Sequence, residues 1–386
     1  MAATAQPSGG ALGSRAVPPR ILILTASVGE GHDAPARRLA EQLRAERPDV
    51  EAITEDCLPA MGRAVAAVSE GAARVVFFRF LWLWDVAFWV FVGFPPTRNA
   101  TQAALTRFGS PGLLRLISAR DPDVVVSVYP NATEVLGRLR RSGRLRVPVC
   151  AVITDLAALR YWATPGADLH LVTHPESIEE VRRIAGAATG VHCVHGFAEP
   201  EFLVRRPLAD ARRALGLDPD AKIVLVSGGG WGVGDVEGAV REVLGIAGVD
   251  HVVCLCGRNE ELHVQLERDF AGDRRVRVEG FTDHMPDWLA AADALVHSTG
   301  GLTVLEALMR GCPAISYGWG RGHVRLHNRA FTRFGLAQVA ATPAALRAAV
   351  AAALAQGRTA ADFSGLPSAA SFVLAEAELA QSAHAR

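Results

Sequence analysis

The sequence predicts an α/β protein made of two Rossmann-like units facing each other across a cleft. Three observations lead there. Short, continuous apolar runs alternate with helical patterns, as buried parallel strands and their crossover helices do. The alternation occurs twice, broken by the aperiodic, proline-bearing stretch Gly196 to Pro207. Several runs end in glycine-rich loops, and ligands of parallel sheets bind beyond the carboxyl ends of strands.

Composition agrees. A chain of 386 residues is long enough for two domains, and 50% hydrophobic with 21% charged residues describes a globular protein. Forty basic and forty acidic residues give no net charge, which argues against a general nucleic-acid binder. Lys222 is the only lysine, so nearly all positive charge is arginine. The six cysteines lack the paired spacing of a zinc site. Cys254 and Cys256 point to one face of a strand as buried thiols, which suits a reducing cytoplasm. Residues 1–19 read as a disordered tail without the apolar core of a signal peptide.

The first domain is expected over residues 20–200. Ile21 to Leu24 is a buried strand leading through Gly29-Glu30-Gly31-His32 into a helix over Ala34 to Arg47, and Val50 to Ile53 is a second strand. Val75 to Phe94 is rich in Trp and Phe, residues that favour a membrane interface. Arg79 and Asp85 interrupt it, each costing about 2.5–3.5 kcal/mol at a bilayer centre. An interfacial helix or hairpin, a buried core helix and a membrane span all stay open for it. Further strands follow at Val124 to Val128, Val147 to Ile153, Leu169 to Thr173 and Val191 to His195. The third of the chain's strands ends in Tyr129-Pro130-Asn131, the fourth in Thr154-Asp155-Leu156.

The second domain is expected over residues 201–365, with a terminal helix or tail over 366–386. Lys222 to Ser227 ends in Gly228 to Gly234, and His251 to Cys256 ends in Gly257-Arg258-Asn259. Val276 to Val278 and Pro313 to Tyr317 are further strands. Between them Ala294 to Val296 runs into Ser298-Thr299-Gly300-Gly301-Leu302-Thr303 and a helix ending near Gly311. Glycines there let the backbone approach a ligand, and a helix N-terminus suits a phosphate. Glu306, about one turn in, is placed to reach a sugar hydroxyl.

These residues resemble a known family. Gly228 to Gly234, Cys256 to Asn259 and Gly280-Phe281 with Met285-Pro286 and Trp288 resemble the carboxyl-terminal half of monogalactosyldiacylglycerol synthases and processive diacylglycerol glucosyltransferases. Thr154-Asp155-Leu156, with Trp162 and Pro165-Gly166, resembles their amino-terminal half. Gly300 to Glu306 is similar to the N-acetylglucosaminyl transferase of peptidoglycan-lipid synthesis. The resemblance spans roughly Ile21 to Ala340. It implies a GT-B fold and inverting transfer from a UDP-sugar, without metal or cofactor, to a lipid acceptor at the cytoplasmic membrane face.

Carried over by position, Phe281, Thr282 and Met285 hold the uracil. Gly300, Gly301, Leu302 and Thr303 hold the diphosphate, and Glu306 the ribose. Gly229, Gly230, Arg258, His323 and Asn328 complete the donor site, with Arg325 as a further source of charge. The alternative for Arg258 is a buried pair with a carboxylate. His32, beside Gly31, is the expected general base, with Asp155 as partner or alternative. The alternative is that His32 orients the acceptor or a phosphate while Asp155 caps a helix. Trp82, Trp84 and Trp89 are expected at the membrane.

The chain also departs from this family. The synthases carry Lys-Ala-Gly-Pro-Gly-Thr where Ser298 to Thr303 stands, and Gly-Gln-Glu before the asparagine matched by Asn328. That leaves glucose and N-acetylglucosamine open beside galactose. Rival readings are a transferase with a soluble or polyprenyl acceptor, an isomerase like UDP-N-acetylglucosamine 2-epimerase, and a silent anchoring subunit. The aromatic segment argues against the isomerase, and the presence together of His32, Asp155 and Glu306 against the silent subunit.

Overall fold

A computed structural model describes residues 18–27, 30–62, 90, 94–157, 159–187, 189–195, 197–198, 200–298, 300–318, 323–359, 363 and 365–384. The segment 75–94, with Trp82, Trp84 and Trp89, lies outside them apart from Val90 and Phe94.

The first sheet holds β1 (Arg20–Thr25), β2 (Glu51–Asp56), β3 (Val124–Ser127), β4 (Val149–Ile153), β5 (Leu169–Val172) and β6 (Gly190–Cys193). Its order is β2-β1-β3-β4-β5-β6, all parallel. The second holds β7 (Ile223–Ser227), β8 (His251–Leu255), β9 (Val276–Glu279), β10 (Ala294–His297), β11 (Ala314–Tyr317) and β12 (Gln338–Ala340). It runs β12-β11-β10-β7-β8-β9, again parallel. Inner strands such as β3, β4, β7 and β10 are buried along their whole length, which is why they read as unbroken apolar runs. The three-residue edge strand β12 and the helix Pro95–Arg120 escape sequence reading. The first is too short, and the second carries Pro111 internally with no continuous apolar stripe.

Each sheet reverses direction of growth once. The chain passes from β1 out to β2 and returns to β3 on the other side of β1; likewise β10 returns beside β7. Crevices open at these switch points, beyond the strand ends.

The two domains meet in mid-linker. Phe197 is buried in the first core, whereas Ala198 and Phe202 belong to the second. Arg310 fastens the turn Pro200–Leu203 to the second domain, donating to the carbonyls of Glu201 at 2.7 Å and Pro286 at 3.1 Å. The terminal helix Ala369–His384 returns to the first domain, where Ala370, Val373 and Ala377 pack with Leu39 and Leu43. Arg47 pairs with Glu378 at 2.8 Å and Gln381 donates to Asp123 at 3.0 Å. The first domain therefore joins both ends of the described chain. Among the described residues, no helix is long and apolar enough to cross a membrane.

Arg212 is buried below the second sheet. It donates to Asp293 at 2.7 Å, to the Ala291 carbonyl at 2.9 Å and to the Pro219 carbonyl at 2.7 Å. Asp293 also accepts from the Ile223 amide at 2.8 Å, so one carboxylate ties helix Leu208–Ala214 to the start of β7. Arg212→Ala leaves that carboxylate to the Ile223 amide and to Lys222 Nζ, 3.2 Å away, and should cost about 1.5–3 kcal/mol of stability. Urea unfolding checks this; an unchanged midpoint would rule out the anchoring role.

Candidate active site

The first wall of the cleft is built at the β1/β3 switch point. Thr25, ending β1, donates its hydroxyl to Asp33 at 2.8 Å and so fixes the first turn of helix Glu30–Glu46. Gly31 is exposed in this turn, and His32 follows it, half-buried. The His32 ring stands between Tyr129, edge-on with centroids 5.2 Å apart, and Trp162 at 5.6 Å. Its Nδ1 lies 2.9 Å from the Val128 carbonyl, an acceptor that selects the Nδ1–H tautomer and leaves the Nε2 lone pair available. Burial lowers the His32 pKa, opposed by the Val128 bond and the Asp155 charge. The imidazole is thereby held neutral near pH 7.

Tyr129 is fixed in turn. Its hydroxyl accepts from Asn131 at 2.8 Å, and Asn131 accepts from the Tyr161 hydroxyl at 2.8 Å. Asp155, just beyond β4, accepts from the Trp162 indole at 2.9 Å. Its other oxygen lies 3.2 Å from His327 Nε2, which comes from the second domain.

That pair marks the closest approach of the two walls. The helix Gly301–Arg310 starts against the loop after β4: a Cβ on Gly301 would sit 3.3 Å from the Leu156 amide nitrogen and 3.4 Å from the Thr154 carbonyl oxygen. A Cβ on Gly300 would lie 3.4 Å from His327 Nε2 and 3.8 Å from the Asp155 carboxylate. Leu302 and Thr303 form the half-buried first turn, and Glu306 stands half-buried one turn on. His297, His327 and His174 are all buried around this junction. Burial first, and then His327, holds the pKa of His297 down to about 3 and of His174 to about 4.

The other donor-side loops interlock above β7 and β8. The Arg258 amide donates to the Gly230 carbonyl at 2.9 Å, and the Gly229 amide to the Ser227 hydroxyl at 3.1 Å. Gly257 has φ +61°, and a Cβ there would meet Gly230 carbonyl carbon at 2.6 Å, so only glycine fits. The Arg258 guanidinium lies over the exposed Phe281 ring, 3.7 Å from its centroid. The contact is a cation–π stack. Thr282 accepts from the His284 amide at 3.0 Å, just before helix Met285–Ala291, and Met285 is half-buried in its first turn. His323 begins helix His323–Phe334, whose Asn328 is buried and accepts from Ser316 at 2.6 Å.

The structure thus brings His32, Asp155, Gly300, Gly301 and the start of their helix to one junction, and groups Gly229, Gly230, Arg258 and Phe281 on the neighbouring strand ends. Asn328 spends its oxygen within the domain. Trp82, Trp84 and Trp89 are outside the described residues. Sequence reasoning missed His327, His174 and His297. His327 had a readable signal: it lies four residues after His323, on one face of a helix.

Comparison with known proteins matches this architecture. Residues 32–190 match the family model for monogalactosyldiacylglycerol (MGDG) synthase, and residues 234–356 match glycosyl transferases group 1. The chain has the GT-B fold and is a glycosyltransferase. This glycosyltransferase is 24% identical over 330 residues to a processive diacylglycerol beta-glucosyltransferase of Staphylococcus aureus strain MRSA252, covering 84% of this chain and 82% of that protein. In strain Newman the matched stretch is 242 residues, 60% of the relative's length, at 26% identity. Its fold is shared with the glycosyltransferase SnogD from Streptomyces nogalater, at TM-score 0.54 and 18% identity over 94% of this chain and all 100% of that one. It is likewise shared with Os79 from O. sativa, solved with UDP, at TM-score 0.57 and 12% identity over 94% and 99% of the two chains.

The buried histidines give the glycosyltransferase an acid-sensitive junction. Unfolded, His174 and His297 titrate at the ordinary 6.5; folded, at about 4 and about 3. Between those values the unfolded chain binds more protons, so stability should fall as pH drops from about 6.5 toward 4. Urea midpoints across this window should decline, and His174→Gln should flatten the decline; a slope that the variant leaves unchanged would remove His174 from the account.

Proposed function

We propose that the protein transfers a hexose, with inversion, from a UDP-sugar to a diacylglycerol-type lipid at a membrane surface. The observation that carries this reading is the opposition, at one junction, of a neutral imidazole and a glycine-bearing helix N-terminus. A base on one wall and an anion cradle on the other are what direct displacement at a sugar carbon needs. The acceptor class is supported by the matched MGDG synthase family and by the activity named for the staphylococcal relative. The membrane surface is supported by Phe94, which ends the aromatic segment 75–94, and by Phe108 on the helix that follows, 41% and 67% exposed.

In this mechanism His32 Nε2 takes the proton of the acceptor hydroxyl as its oxygen attacks the anomeric carbon. The bond to UDP breaks on the opposite face. Asp155 balances the imidazolium as it forms, and is itself oriented by Trp162 and His327. Charge growing on the leaving diphosphate is met by the amides at Gly301, Leu302 and Thr303. Uracil lies against Phe281, Thr282 and Met285, and Glu306 accepts from the ribose. Gly229, Gly230 and the charge of Arg258 face the same donor. No metal or cofactor takes part, so turnover should survive EDTA.

The decisive experiment is incubation with a panel of radiolabelled UDP-sugars and diacylglycerol vesicles, followed by product identification; absence of any labelled glycolipid sinks the acceptor assignment. His32→Ala should cut kcat by about 10²–10⁴ while leaving the Kd for UDP unchanged. The acid limb of kcat/KM should fall below the ordinary imidazole value of 6.5, since burial lowers the His32 pKa; a limb above that value contradicts His32 as the base. Glu306→Ala should weaken UDP binding by about tenfold or more in calorimetry.

A further inference from the structure

A second pocket opens on the flank of the first domain, away from the donor loops. It has a volume of about 350 Å³, at the small end of ordinary ligand sites. Its walls come from the helices Pro95–Arg120, Pro130–Arg141 and Ile178–Ala185 and from the turn after β4. Arg98, Arg138, Arg141, Arg160 and Arg183 line it, against Glu134 as its one carboxylate. Arg138 is spent, pairing with Glu134 at 2.5 Å and donating to Gln102 at 3.2 Å. The side chains of Arg98, Arg141, Arg160 and Arg183 have no hydrogen-bond or ion-pair partner among the described residues.

This concentration of charge is local, because the chain as a whole has none in excess. Guanidinium groups gathered around one cavity, with no partner among the described residues, favour an anion that uses their planar donors. The pocket is also shaped by the backbone. Gly137 and Gly166 let the turn after β4 close down on helix Pro130–Arg141: a Cβ on Gly137 would lie 2.9 Å from the Pro165 carbonyl oxygen, and one on Gly166 would meet the Arg141 stem at 2.5 Å. The stem of Arg141 is therefore held at the wall.

We infer that this pocket is a second anion site, built for a phosphate mono- or diester and separate from the donor cleft. Guanidinium forks match phosphate oxygens in pairs, and a set of arginines with a single paired carboxylate selects anionic over neutral ligands. The phosphate can belong to a soluble ester or to a phospholipid headgroup; the chemistry of recognition is the same. Arg160 shares the short helix Leu159–Trp162 with the residue that orients Asp155, so the pocket borders the catalytic wall without forming part of it.

The test uses the full chain saturated with UDP, which blocks the donor cleft. One arm titrates inorganic phosphate and glycerol 3-phosphate by calorimetry at physiological ionic strength. The other measures co-flotation with phosphatidylcholine vesicles, with and without phosphatidic acid. The variant is the triple change Arg98→Gln, Arg160→Gln, Arg183→Gln, with the single changes Arg160→Gln and Arg183→Gln as exposed-site controls should the triple fail to fold. The site predicts at least about a tenfold loss of affinity in the triple variant, in whichever arm binds. A loss confined to calorimetry identifies a soluble ester, and one confined to phosphatidic-acid vesicles a lipid headgroup. Equal behaviour of wild type and variants in both arms overturns the site. Glu306→Ala, run beside them, should alter UDP affinity and leave both arms untouched, so failure of the donor reading is seen separately.

Discussion

The contact on which the site depends is the meeting of Asp155 with His327. It joins the end of β4 in one domain to a helix of the other, with Gly300 and Gly301 packed closely beside it. Any Cβ at Gly301 presses on the backbone of Thr154 and Leu156. The same junction buries three histidines, and burial of an imidazole favours its neutral form. The Trp162 indole, donating to Asp155 at 2.9 Å, fixes the carboxylate beside them.

Everything nearby is supported from below by sheet topology. Both sheets reverse once, and both reversals aim their loops into the shared cleft. His32 follows β1 and Tyr129 follows β3, so the two strands flanking the first switch point supply the base and part of its wall. In the second domain β7 and β10 flank the reversal and supply the glycine loop and the helix N-terminus. The interlocking of the loops at Gly230 and Gly257 leaves little freedom for the donor side to deform, which suits a rigid anion cradle.

Much of this was legible in the sequence. Inner strands lie between two layers of helices, so β1, β3, β4, β7 and β10 declare themselves as apolar runs. Edge strands do not: β12 is half-exposed and short. The glycines of Ser298 to Thr303 pointed to close approach, but not to what approached. From sequence they suggested only a ligand, whereas in the fold the backbone of Thr154 to Leu156 occupies one side. A histidine inside a run of basic residues, as His327 is, looks solvated, yet its helix turns it fully inward. The terminal helix looked like an appendage, and packs instead as the cover of the first sheet.

The sequence by itself determined the class of protein, the two-domain plan and the loops at which chemistry is done, because each is encoded within a few neighbouring residues by hydrophobic period and glycine spacing. The tertiary structure decided what those loops meet. Pairing Asp155 with His327, Arg258 with Phe281 and the first sheet with the last helix joins residues far apart in the chain. Such partners are selected by packing between whole domains, and no local pattern records them.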